Sequence, residues 1–145
     1  INTSGTIEKI DIKNSFQDAI DFDFSNLKVD EINVNEAGND CIDLSSGEYY
    51  IKNLVLNTCK DKGISVGEKS TLRVKNAHVK NTYIGFVSKD SSKLIVEDAI
   101  LKYNNFCIAA YNKKQEFGPS YISVPNKLCP KDKYIIQTLS TIDLL

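Results

Sequence analysis

Aspartates recurring at a fixed interval are the side chains best placed to do chemistry in this sequence. Asp18 and Asp40 lie 22 residues apart, as do Asp21 and Asp43, and Lys62 and Ser65 continue the two series. If residues at that interval sit side by side, four carboxylates gather on neighbouring segments. Such a group could coordinate calcium through its oxygens, with Asp40 and Asp43 as the expected ligands. It could instead hydrogen-bond sugar hydroxyls, or raise the pKa of one carboxyl enough for acid–base work. The plain alternative is a solvated acidic surface with Lys62 as its counter-charge.

A second set falls at the same interval. Glu68, Asp90 and Asn112 form one series, with Lys69, Ser91 and Lys113 beside it and Lys89, Lys114 and Glu116 nearby. As a functional site this would be a binding rim, with Tyr111 and Phe117 offering rings on which a sugar could stack. As structure alone it would be a charged set of turns that keeps strand edges soluble. The expected ligand-binding residues are therefore Asp18, Asp21, Asp40, Asp43, Lys62, Ser65, Lys89, Asp90, Tyr111, Lys113 and Glu116.

Other reaction types find little support. His78 is the single histidine and has no acidic or thiol partner at its repeat position on the neighbouring segments. Ser45, Ser46, Ser91 and Ser92 sit in turn-like text without the glycine spacing of a nucleophile elbow. Arg73 is the single arginine, and the remaining cations are lysines, which recognise planar anions less well. The 18 basic and 19 acidic residues give a formal net charge of −1, which argues against nucleic acid as a partner. No apolar run is long enough to cross a bilayer, so membrane insertion is not expected. The chain starts at Ile1 and contains no methionine, as expected of a processed or excised piece of a longer protein.

The elements that would carry these residues are legible from an internal repeat. The triplet Ile7, Ile10, Ile12 recurs as Val29, Ile32, Val34, then as Ile51, Leu54, Leu56. After one extra residue it continues as Val74, Ala77, Val79 and then as Val96, Ala99, Leu101. Ile20, Ile42, Ile64, Phe86 and Ile108 keep the same step, each preceded by a small residue: Ala19, Cys41, Gly63, Gly85 or Cys107. That uniformly small column suggests a tight corner or crowded backbone. Apolar and polar residues alternate within the segments, the period of a strand with one buried face. The segments are too close together for intervening helices, so equivalent strands should stack in parallel, each coil burying what it could not bury alone.

This predicts an all-β fold: a single-stranded right-handed parallel β-helix, a solenoid of about five regular coils of 22 residues. One domain spans residues 1–145, with regular coils over about 5–113 and a loop and irregular C-terminal coil or cap over 114–145. Near Phe86 the count from Val79 would turn Val87 inward instead, and a bulge would absorb the difference. A leucine-rich repeat is the rival solenoid, since Ile51, Leu54, Leu56 and Cys59 fit its spacing. Its asparagine position, however, holds Ser15, Ala37, Cys59, Thr82 and Asn104.

Four cysteines, at 41, 59, 107 and 129, suit two disulfides in an oxidising compartment. Cys41 and Cys107 share a column three coils apart, roughly 14 Å at the inter-strand spacing and beyond bonding reach. Cys41 with Cys59 and Cys107 with Cys129 are the expected pairs. The alternatives are four buried free thiols, or a zinc site, which the absence of close C-x2-C spacing disfavours.

The coils from Ile7 to Asn112 resemble the right-handed parallel β-helix repeats of pectate-lyase-like and related extracellular proteins. More narrowly, NDCIDLSSG, DKGISVGEKS, IGFVSKDSS and AAYNKKQEF resemble β-helix segments of large secreted or surface-attached bacterial proteins. Such solenoids include lyases, hydrolases, adhesins and structural stalks, so the fold alone does not choose an activity. The resemblance implies calcium-binding aspartates near an arginine base. Arg73 precedes the inward Val74 on a different strand from the aspartate columns, and no catalytic motif maps residue by residue. The expectation is therefore a noncatalytic extracellular or cell-surface module, a spacer or a surface for a glycan or other extended ligand, with no cofactor unless calcium. A calcium-assisted polysaccharide lyase or glycoside hydrolase fragment is the first alternative. The second is an assembly module in which one solenoid end stacks on another protein chain, including a second copy.

Overall fold

The computed structural model describes residues 3–145 and shows a parallel β-solenoid of about six stacked turns. The first two turns are each split into a long and a short strand: β1 (Thr3–Ser15) with β2 (Ile20–Asp23), and β3 (Ser25–Ala37) with β4 (Ile42–Ser45). The next two run almost unbroken as β5 (Glu48–Gly67) and β6 (Thr71–Lys89). β7 (Lys93–Lys102) and β8 (Phe106–Tyr111) make the fifth turn. Beyond the loop at 112–120, β9 (Tyr121–Val124) pairs with β7 and β10 (Tyr134–Ile136) pairs with β8, while β11 (Thr141–Leu144) starts a further turn on β9. The expected irregular cap thus continues the ladder as a sixth turn in register. Among the described residues the only helix is a 3-10 turn at Lys131–Lys133.

Register follows the sequence repeat. Ile7 pairs with Val29, Val29 with Ile51, Ile51 with Val74, and Val74 with Val96. The inward columns form one continuous apolar core that runs from Ile20 and Leu27 through Phe86 to Val124.

The extra residue of the third coil lies in its closing turn, where Glu68, Lys69 and Ser70 replace Ser46 and Gly47 between paired strand ends. A bulge then restores the register: Cys59 opposes Thr82 and Lys62 opposes Ile84, so Lys60 and Asp61 share the single partner Tyr83. The question at Phe86 is answered by burying both candidates. Phe86 fills the main core, and Val87 belongs to a separate apolar cluster with Ile84 and Ala109.

The small column reflects crowding rather than special backbone angles. A Cβ on Gly63 would meet the Gly85 carbonyl oxygen at 2.6 Å and Val79 Cγ1 at 2.7 Å, and one on Gly85 would meet the Cys107 oxygen at 2.8 Å. None of the described glycines has positive φ. One left-handed corner of each regular coil falls instead on Asn14, Glu36, Thr58, Asn81 or Tyr103, and the corner at the end of the coil on Phe24, Ser46, Glu68 and Lys69, or Asp90 and Ser91. Stacking fixes the former corners from the next coil: Asn57 Nδ2 donates to Asn35 Oδ1 at 2.6 Å, and Asn81 Nδ2 to Asn57 Oδ1 at 2.9 Å. At the opposite corner Ser70, Ser92, Ser120 and Ser140 are buried and stacked, with hydroxyls on backbone oxygens such as Val66 and Ser88.

Both expected disulfides are present, Cys41–Cys59 and Cys107–Cys129, which accounts for all four cysteines. Each staples the start of a second-half strand to a neighbouring chain segment.

Candidate functional site

The outer face over β2, β4, the end of β5, the end of β6 and β8 collects most of the expected site residues. Its strands alternate: Ile42, Ile64, Phe86 and Ile108 point into the core, which sends Asp43, Ser65, Val87 and Ala109 to the outer face in one column. Asp21 pairs with Asp43 and begins that column.

The four carboxylates separate into two roles. Asp18 Oδ1 accepts the Asp40 N–H at 2.9 Å and Asn39 Nδ2 at 2.7 Å. Asp40 Oδ1 repeats this one coil on, accepting the Lys62 N–H at 3.0 Å and Lys62 Nζ at 3.3 Å. These two aspartates tie successive coils together at a corner, and Asp40 is almost wholly buried. Asp21 and Asp43, by contrast, reach an open depression of about 230 Å³ with Asp23, Ser45, Glu68 and Lys89 on its walls. Lys89 Nζ lies 3.5 Å from Asp43 Oδ1 and donates to Ser65 Oγ at 2.9 Å.

Burial and like charges shape the acidity here. Burial raises the Asp40 pKa to about 6 even though Lys62 pulls it down. Asp21 is also raised, first by burial and then by repulsion from Asp23, Asp43 and Asp18. For Lys62, burial acts to lower the pKa, but Asp61 and Asp40 together hold it above its ordinary value. Burial raises the Tyr111 phenol, opposed by the nearby Lys62 ammonium. The bulge in β5 is what brings Asp61 into this group, where its carboxylate pairs with Lys62.

Further along the solenoid axis the same face turns apolar. Ile84, Val87 and Ala109 are buried on the outside of the sheet beneath Phe106, Tyr111 and Ile135, and Tyr83 meets Phe106 edge-on at 5.6 Å. The face therefore passes from carboxylates through lysines to rings.

The second expected patch is only partly a rim. Asp90 is fully buried and its Oδ1 accepts the backbone N–H groups of Lys113 and Lys114. Lys114 pairs with Glu68, and Lys69 Nζ lies 5.9 Å from the centre of the Phe117 ring. Lys113 and Glu116 are exposed in the loop. Arg73 stands apart, exposed on β6 beside Tyr50, away from the aspartates. His78 is exposed between Val55 and Ile100.

A calcium ion at Asp40 and Asp43 would have to displace the ammonium groups of Lys62 and Lys89. Among the described residues no group of three or more His, Cys, Asp or Glu side chains is arranged to hold a metal. The alternation of the sequence did not reveal Asp23, Asp61 or the Phe106 cluster as members of this face. The outward apolar residues at 84, 87 and 109 were the signal available for the last of these.

No protein-family model, curated protein or solved structure matches this chain. No described helix is long and apolar enough to cross a membrane.

Proposed function

We propose that this chain is a noncatalytic module of a secreted or cell-surface protein, and that its outer face binds an extended ligand such as a glycan. The graded row along the axis carries the reading: Asp21 and Asp43, then Ser65 and Lys89, then Tyr111 and Phe106. Carboxylates and ammonium groups suit sugar hydroxyls, rings suit the apolar faces of pyranoses, and a linear row suits a chain better than a small molecule. Two disulfides are in keeping with an oxidising, extracellular setting.

The test is retention on a polysaccharide array followed by Lys89→Ala and Tyr111→Ala. Retention that weakens at least tenfold in both variants supports the reading. No retention on any glycan, or retention indifferent to both changes, removes it.

One feature favours the alternative, a polysaccharide lyase or glycoside hydrolase fragment: burial raises the Asp40 carboxyl to about 6, within range of a general acid. Its burial and its bonds to Lys62 argue against contact with substrate. Turnover that disappears in Asp40→Asn would reverse the order of the two readings. The assembly reading draws on β1, a 13-residue strand paired on one edge only. A mass that rises with concentration in light scattering would support it.

A further inference from the structure

The corner after β6 contains a carboxylate that the outer face does not use. Asp90 is fully buried. Its Oδ1 accepts the N–H of Lys113 at 2.6 Å and of Lys114 at 2.8 Å, while its buried Oδ2 has no hydrogen-bond partner among the described residues. Asn112, one coil further on, repeats the situation. Its Nδ2 donates to the Phe117 carbonyl at 2.8 Å, which sets the amide orientation and leaves a buried Oδ1 that likewise has no partner.

The two oxygens sit on adjacent turns of one corner, Asp90 in the turn after β6 and Asn112 at the start of the loop after β8. The Asp90 N–H donates to the Tyr111 carbonyl at 3.3 Å, and Asp90 Oδ1 takes the Lys113 N–H, so Asn112 is held between two residues that touch Asp90. Three neighbouring ammonium groups have other contacts: Lys114 pairs with Glu68, Lys89 with Asp43, and Lys69 lies over Phe117.

We propose that Asp90 and Asn112 hold a small hard cation of the calcium class beneath the 112–118 loop. Both unpartnered atoms are oxygens, which selects hard cations over zinc or copper. A bridging water would satisfy both acceptors but bring no charge to the buried carboxylate, whereas a cation does both. Calcium accepts irregular shells of carboxylate, amide, backbone and water oxygens, while magnesium demands a near-octahedral one. The ion would tie the long loop to the fourth coil.

The experiment uses calcium alone on the whole chain after EDTA treatment, read by calorimetry and by thermal unfolding. One binding site is expected, with a saturable rise in Tm of roughly 5–10 °C at a hundredfold excess over Kd. Asp90→Asn and Asn112→Ala should each abolish the rise, and Asp43→Asn should keep it. No calcium-dependent rise in the unmodified chain would overturn the proposal, as would a rise lost in Asp43→Asn and kept in Asp90→Asn. If Asp90→Asn does not fold, Asn112→Ala decides: loss of the rise supports the site and its retention overturns it.

Discussion

Asp40 shows how one side chain can serve the fold at an electrostatic cost. Its oxygen caps a backbone N–H of the next coil, which requires burial, and burial raises its pKa from 3.8 to about 6. The folded state then holds this proton more tightly than the unfolded state does. Stability from this group is therefore complete below about pH 4 and lost as pH rises towards 6 and above, by at most about 3 kcal/mol. Asp40→Asn keeps an acceptor for the Lys62 N–H and removes the titration. Denaturant midpoints measured from pH 3.5 to 7 should fall over that window in the unmodified chain and run flatter in the variant; parallel curves would contradict this account. Thr58 offers a second test at this scale. It is exposed, β-branched and held at φ 62°, a conformation that costs such residues free energy. Asn occupies the same corner at positions 14 and 81, so Thr58→Asn should stabilise the chain by about 1 kcal/mol in chemical denaturation.

At the scale of elements, stacking distance is the controlling quantity. The second-half strands approach so closely behind Ile64 and Phe86 that only very small side chains fit the preceding column. Gly63→Ala should cost about 1–3 kcal/mol through overpacking against Gly85 and Val79. Gly5→Ala, where nothing lies within 4 Å, should change stability by less than about 0.5 kcal/mol. Equal effects at the two positions in thermal melts would show that crowding is not the reason for the small column. The Asp18–Asp40–Lys62 ladder belongs to this scale too. Its residues were legible as a column, but two of its carboxylates proved to be corner ties, because the hydrogen bonding of a corner depends on which backbone N–H the adjacent coil presents.

For the molecule as a whole, each turn touches only its neighbours, so protection should grade along the axis. β5 and β6 are covered on both sides, whereas β1 is mostly exposed and paired only with β3. Hydrogen exchange should be slowest in β5 and β6 and fastest in β1, and uniform exchange would indicate a fully cooperative unit instead. The sequence by itself determined the 22-residue period, the parallel register and the inward columns, while the two disulfide pairs it favoured over free thiols were decided by the structure. The period, register and columns follow from alternation and equal spacing, which are local properties repeated. Only the tertiary structure decided that Lys60 and Asp61 form the compensating bulge, that Asp90 is buried, and that Val87 lies beneath an outer aromatic cluster. These depend on side chains of adjacent coils closing over a face that alternation alone assigns to solvent. The sixth turn was legible only as an irregular coil or cap, for a related reason. The loops at 112–120 and 125–133 break the period, and only the open edges of β7 and β8 bring the chain back into step.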